Sequence, residues 1–271
     1  GVGMKVFPYF NSLQMFAHHE QIPYENMHAV SVTGRPWHEL DRALLECRPL
    51  IGVLTDHVHT PRAIAKRMME YHLDKDYTMR VAEHLGNPKK EKIYNIYSIE
   101  EISKMSFSSP NCVLLMKAPN STQQRPVLGI PDTKFVLLND RAKMITKAPI
   151  RVIDLSLLEL HNSRIFWDIG ACTGSVSIEA RRQYPHLNIQ AFEVREECKD
   201  IIRANARLHS APGIDLHIGN FLNLPIAEDA IVDAVFIGGH GGKLKEIICK
   251  VASHLDKLKG KIVFNSVSEE S

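Results

Sequence analysis

The segment Trp167-Asp168-Ile169-Gly170-Ala171-Cys172-Thr173-Gly174-Ser175 constrains the fold of this chain more than any other. The apolar run Arg164-Ile165-Phe166-Trp167 reads as a strand, and it ends in an acid. Glycines after it let the backbone turn sharply and approach a ligand closely. A helix is predicted at once, over Val176 to Gln183, presenting its unpaired N–H groups to that turn. Strand, glycine turn and helix in this order open a parallel α/β sheet, whose ligands bind beyond the carboxyl ends of the strands.

The same unit recurs downstream. Asn188 to Phe192 predicts a strand ending at Glu193, and Glu196 to Leu208 a helix. Asp215 to Ile218 and Ala234 to Ile237 follow as strands, Lys243 to Leu255 as a helix, and Lys261 to Phe264 as a fifth strand. Short connections make this a Rossmann-like, doubly wound and mostly parallel sheet. The upstream half is α/β as well. It holds a helix at Ser12 to His19, a buried strand Leu50 to Leu54, and a helix that Thr60-Pro61 opens and that runs through Tyr71. Arg80 to Ala82 and Cys112 to Met116 are strand candidates, and Ser98-Ile99-Glu100-Glu101 is a capping box between them. The polar stretch Ala118 to Pro126 has no packable face. It divides the chain into a first domain over 1–118, a linker over 119–127 and a second domain over 128–271.

Composition excludes several partners. With 33 basic and 31 acidic residues among 271, no global field favours nucleic acid, and no basic stripe with interleaved aromatics suggests RNA. The 14 histidines are scattered, not set at metal-ligand spacing. Five cysteines form no CxxC pair, which suits reduced thiols and a cytoplasmic location, with Cys112 and Cys249 among apolar neighbours. No apolar run reaches the length of a membrane span.

The turn itself narrows the ligand. A dinucleotide fold wants Gly-x-Gly-x-x-Gly, so that pyrophosphate rests on the helix start. Here Gly170-x-Cys172-x-Gly174 follows Asp168, whose carboxylate would repel pyrophosphate but suits the ammonium and sulfonium of S-adenosylmethionine. Ser175 opens the helix behind it. Glu193 closes the next strand at close to the interval, about 20 residues, expected of a ribose-binding acid. After the third strand, Asn220 and Phe221 are either an adenine edge contact and ring cover, or a turn asparagine beside a core phenylalanine. Gly238-Gly239-His240-Gly241-Gly242 follows the fourth strand, and so many glycines at a strand end point to a close approach to ligand. His240 either meets a carboxylate or merely tolerates a tight turn. A nicotinamide-dependent Rossmann oxidoreductase and a non-catalytic S-adenosylmethionine-binding fragment are the alternatives.

Together these residues resemble a known family. Trp167-Asp168-Ile169-Gly170 with Gly174-Ser175-Val176-Ser177-Ile178-Glu179-Ala180 is similar to the first motif of the decarboxylating precorrin methyltransferases of cobalamin biosynthesis, the CbiT type. Gly129-Ile130-Pro131-Asp132, Met144-Ile145-Thr146-Lys147, the Gly238–Gly242 loop and Asn265-Ser266-Val267 fit the same pattern in order. Val30 to Arg35, Gly52 to Asp56 and Val81 to Gly86 resemble the partner methylase, the CbiE type of tetrapyrrole methylase. The resemblance implies methylation of precorrin-6Y at carbons 5 and 15 with loss of the ring C acetate carboxyl as carbon dioxide. It further implies a small-molecule corrin precursor as partner, with a homo-oligomer expected. Thr146, Lys147 and His240 would face the substrate, and Lys147, Arg151 and His240 would meet its carboxylates. Cys172 stands where the family has a second glycine. Measured against the family, the sequence is expected to be fragmentary at both ends.

Overall fold

Apolar runs of strand length alternate with amphipathic stretches, and in a computed structural model they become two separate α/β units, Gly1–Gln123 and Gln124–Ser271. The structure describes residues 4–5, 9–95, 98–119, 121 and 127–265. Most of the expected linker, residues 120 and 122–126, lies outside them, as do Ser266 and Val267.

The first unit runs α1 (Ser12–His19), β1 (His28–Ser31), α2 (His38–Leu45), β2 (Leu50–Leu54), α3 (Pro61–Glu70), β3 (Tyr77–Glu83), β4 (Lys92–Tyr94), α4 (Ile99–Ile102) and β5 (Asn111–Lys117). Local chemistry sets the helix starts. The Thr60 hydroxyl accepts from the Ala63 N–H at 3.2 Å, Pro61 occupies the first turn, and Ser98 and Glu101 close a capping box. The sheet order is β1-β2-β5-β3-β4; β1 and β2 pair in parallel and the other neighbours antiparallel. It is therefore a mixed sheet, with one core formed by α2, α3 and α4 and another under α1. The stretches Val30 to Arg35, Gly52 to Asp56 and Val81 to Gly86 lie at the carboxyl ends of β1, β2 and β3, on the same end of this sheet. There Asp56 accepts from the N–H groups of Gly34, Val58 and His59.

The second unit contains α5 (Ala148–Leu157), β6 (Ile165–Ile169), α6 (Ser175–Gln183), β7 (Asn188–Glu193), α7 (Cys198–Leu208), β8 (Ile214–Ile218), β9 (Ala234–Ile237), α8 (Leu244–Ala252) and β10 (Lys261–Phe264). Its sheet order is β10-β9-β6-β7-β8, with every pair parallel. Both faces are covered, as parallel sheets require. Phe166, Ala234 and Phe236 pack with residues of α5 and α6, while Trp167, Ile169, Val235 and Ile237 pack with α8. Strand order reverses at β6, which has β7 on one side and β9 on the other.

Strands β1 and β4 and helix α2 were not placed by the sequence reading, and three further details differ from expectation. Helix α5 has Pro149 in its first turn but no side-chain cap, and it was not anticipated. Helix α8 ends at Ala252 rather than Leu255, because the next residues leave it to pair with Val232: the Val232 N–H reaches His254 O at 2.8 Å, and the Asp256 N–H reaches Val232 O at 2.9 Å. Cys249 is exposed, unlike buried Cys112, since it lies on the outer side of α8.

A buried ionic knot fixes the segment leading into α5. Glu179 on α6 accepts from the N–H groups of Gly129 and Ile130 and from Arg151 Nε at 2.8 Å. Arg151 also binds Asp132 at 2.8 Å and the carbonyls of Thr146 and Ile130. Both Arg151 and Glu179 have no exposed surface. The arrangement contradicts the expectation that Arg151 meets substrate, because every edge of its guanidinium is committed inside the protein.

Candidate active site

At the carboxyl ends of β6, β7, β8 and β9 the second unit opens into a cavity of about 1000 Å³. This is the switch point of the sheet, where α/β folds place ligands. Its lining includes Thr146, Lys147, Asp168, Gly170, Cys172, Ser175, Glu193, Asn220, Phe221, Gly238, Gly239 and His240. Residues spread over nearly a hundred positions are thus brought together. Gly174 is the correction: it does not line the cavity. It backs onto α7, where an added Cβ would stand 3.0 Å from Ile202 Cγ2, and its left-handed φ of 74° starts α6.

Asp168 lies at the back of the cavity with only 1% of its surface exposed. Its Oδ2 accepts from the Ser177 N–H at 3.1 Å and the Ser177 hydroxyl at 2.6 Å, while Oδ1 has no hydrogen-bond partner. Burial pushes its carboxyl up to about 6, against the Ser177 bonds that lower it, and the Glu193 charge adds to the rise. An unpaired oxygen so deeply buried costs free energy unless a donor arrives.

Gly170 has φ 78°, and the loop after β9 lies directly against it: a Cβ there would sit 2.6 Å from Gly239 N. Cys172 holds the turn in a left-handed conformation, φ 50°, at a cost of about 1 kcal/mol for a residue with a side chain. In return its N–H donates to Glu193 Oε2 at 2.8 Å, and its side chain packs with Leu138, Cys198 and Ile202.

Glu193, at the end of β7, is 2% exposed. Burial alone would raise its carboxyl, but Arg195 and the N–H groups of Arg195 and Cys172 hold it below the usual range. Arg195 grips it through Nε at 2.8 Å and Nη2 at 3.0 Å. Sequence reasoning missed Arg195. The signal was an acid and an arginine two positions apart just past a strand end.

Asn220 and Phe221 make the turn and core contacts of one sequence reading and line the cavity that the other requires. Asn220 Oδ1 accepts from the Leu222 N–H at 3.0 Å, as in an ordinary turn, yet the residue lines the cavity. Phe221 packs edge-on to Trp167 and Phe192 and also borders the cavity. Lys250 of α8 holds their loop, donating to the carbonyls of Phe221, Leu222 and Leu224 at 2.8, 3.1 and 2.8 Å. His240 Nδ1 accepts from the Gly242 N–H at 3.2 Å. Lys147 sits 3.6 Å from Asp132 at the cavity rim. Of Asn265-Ser266-Val267, Asn265 lines the cavity and donates to Asp154 at 2.9 Å; the other two fall outside the described residues. Among the described residues no group of three or more His, Cys, Asp or Glu side chains could hold a metal ion, and no helix is long and apolar enough to cross a membrane.

Comparison with known proteins converges on this unit. Residues 138–271 match the family model described as the precorrin methyltransferase domain. The cobalt-precorrin-6B C(15)-methyltransferase (decarboxylating) of Salmonella typhimurium is 35% identical over 127 residues, covering 47% of this chain and 64% of that protein. A probable enzyme of the same name from Sulfolobus acidocaldarius is 32% identical over 146 residues, covering 54% of this chain and 74% of that protein. The precorrin-6Y C(5,15)-methyltransferase [decarboxylating] of Sinorhizobium sp is 27% identical over 244 residues, covering 89% of this chain and 56% of that protein. The chain therefore spans less than two thirds of the length of the Salmonella and Sinorhizobium relatives. The matched residues are those that build the cavity, and the chain belongs to the precorrin methyltransferase family.

Proposed function

We propose that the second unit binds S-adenosylmethionine and methylates a carbon of a corrin precursor, with decarboxylation of its ring C acetate. The observation that carries this reading is the unpaired Oδ1 of Asp168 at the rear of the cavity. An acid with a vacant acceptor there fits a cationic amino-acid portion and opposes a pyrophosphate, which weighs against nicotinamide dinucleotides. The Gly170–Gly239 contact brings backbone within reach of a ligand, Glu193 stands where a ribose is held, and Phe221 offers an apolar wall for a base. These features fit the cofactor.

S-adenosylmethionine, when bound, supplies a methyl group activated by its sulfonium charge. The protein's part is position and charge. Asp168 holds the ammonium, Glu193 the ribose, and the loop of Asn220 and Phe221 the adenine. Lys143, Lys147, Lys243 and His240 rim the same cavity and suit a substrate rich in carboxylates. The nucleophile is a substrate carbon, so no protein nucleophile is needed. The first unit is read as the partner methylase of the tetrapyrrole type, acting at carbon 5 while the second acts at carbon 15. A relative aligned across both units supports this.

Calorimetric titration with S-adenosylhomocysteine and, separately, with reduced nicotinamide dinucleotide tests the reading. Saturable binding of the homocysteine compound alone is expected; binding of the nicotinamide alone would sink the proposal.

A further inference from the structure

Glu193 has no acceptor place left. Its Oε1 accepts from the Arg195 backbone N–H at 3.0 Å and from Arg195 Nε at 2.8 Å. Its Oε2 accepts from the Cys172 N–H at 2.8 Å and from Arg195 Nη2 at 3.0 Å. A carboxylate offers about four lone-pair directions, so these donors saturate it. Two of them are backbone groups fixed by the turn after β6 and by the end of β7. The other two belong to one edge of a single side chain. A ribose diol brings two donors of its own and needs two acceptor places. The pair held by the guanidinium is the one that can be vacated without dismantling the turn.

We propose that Arg195 is a displaceable occupant of Glu193: a ribose diol takes its place, and the freed guanidinium then receives a carboxylate of the second substrate. This rests on the reading of Glu193 as the ribose residue.

The lining shows where the guanidinium can go. Arg195 is 30% exposed at its side chain, borders the cavity, and its Nη1 stands 3.9 Å from the sulfur of Met144 in the segment beside α5. Among the described lining residues the acids are Asp168 and Glu193, and Asp168 is taken by the ammonium of the same ligand on that reading. A guanidinium leaving Glu193 thus finds no second protein carboxylate in the lining, and its next anion must arrive with a ligand. The planar fork of arginine matches a carboxylate through two parallel bonds. Breaking a buried pair outright would strand the Glu193 charge, but the diol replaces the lost donors one for one.

Two consequences follow from the exchange. Nucleoside affinity is reduced by the fraction of molecules in which Arg195 occupies Glu193. Nucleoside and carboxylate binding reinforce each other by the same factor, since coupling between two sites is reciprocal.

The experiment uses the full chain, S-adenosylhomocysteine and uroporphyrin, a stable tetrapyrrole polycarboxylate, titrated alone and together. For the unaltered protein, saturating S-adenosylhomocysteine is expected to tighten uroporphyrin binding by about fivefold or more, within the usual range of coupling. Arg195→Met is expected to bind S-adenosylhomocysteine alone about tenfold more tightly and to lose the coupling. Arg195→Lys, with a point charge in place of the fork, should fall between. Unchanged or weaker nucleoside binding by Arg195→Met, with an unaltered circular dichroism spectrum, overturns the proposal; so does coupling that survives the substitution, or its absence in the unaltered protein. Where Arg195→Met does not fold, Arg195→Lys decides by the same two readouts. Glu193→Ala separates the two levels. If it leaves nucleoside affinity unchanged, the ribose assignment itself fails. If it weakens binding while Arg195→Met does not tighten it, only the exchange fails.

Discussion

Gly170 and Gly239 meet backbone to backbone: a Cβ on Gly170 would lie 2.6 Å from Gly239 N, 2.7 Å from its carbonyl oxygen and 2.9 Å from its Cα. None of these atoms can step aside as a side chain would. Gly170→Ala also places a side chain at φ 78°. The substitution is expected to cost about 3 kcal/mol, combining left-handed strain with overpacking. Urea unfolding followed by circular dichroism measures it, and a loss below a few tenths would show that the loops are free to part.

Asp168 predicts a pH dependence with a definite sign. Its carboxyl is raised to about 6 in the folded protein, so the folded state holds a proton that the unfolded chain has already released. Stability of the ligand-free unit should therefore fall as pH rises from about 4 to 6 and be level above, by up to about 3 kcal/mol at 1.36 kcal/mol per unit. Binding runs the other way. An ammonium pairs with the ionised form, so S-adenosylhomocysteine affinity should drop as pH falls below about 6. Asp168→Asn should abolish both slopes, and calorimetry at a series of pH values reads the second directly.

Lys250 is a positioning residue for the loop of Asn220 and Phe221. Its ammonium serves three carbonyls and stands 5.0 Å from the centre of the Phe221 ring. Lys250→Met keeps the aliphatic stem and removes the donors. We expect a stability loss of about 1–3 kcal/mol from the stranded carbonyls. Weaker binding of adenosine itself should accompany it, and equal adenosine affinity would leave Lys250 with a purely structural part.

The Arg151–Glu179 pair is expected to be strongly asymmetric under mutation. Removing one partner, as in Glu179→Ala, leaves the buried guanidinium with Asp132 as its remaining counter-charge, strands the Gly129 and Ile130 N–H groups, and should cost about 3–5 kcal/mol. Replacing both by Met should cost less than the single change. Thermal unfolding of the three proteins checks the order.

Much of the second unit was legible because its information is local. Asp168, Gly170 and Glu193 announce themselves at strand ends, where a single turn decides which way each faces. The hydrophobic run of β9 is continuous because both faces of the sheet are buried there. What stayed hidden depends on partners far along the chain. Arg151 looked like a substrate cation because nothing near it in sequence shows Glu179, which lies on another helix. Arg195 was passed over because its role comes from curling back onto Glu193, not from spacing. Gly174 sits in the motif, yet the close approach of Ile202 from α7 explains it better than ligand contact. In the first unit, alternating elements gave the α/β class, but the antiparallel insertion of β5 between β2 and β3 is a pairing that no local pattern records.

The reversal of strand order at β6 means that the walls of the cavity are laid down at different times along the chain. The acid at its back and the Glu193 wall are complete once β6, β7 and their helices exist; the glycine loop facing them is supplied only after the chain has crossed the sheet to form β9. No contiguous fragment ending before β9 can therefore hold a ligand in the same way, however well folded it is. Ligand capture in this unit reports closure of the whole sheet, and occupancy of the site should protect β6 and β9 from hydrogen exchange together.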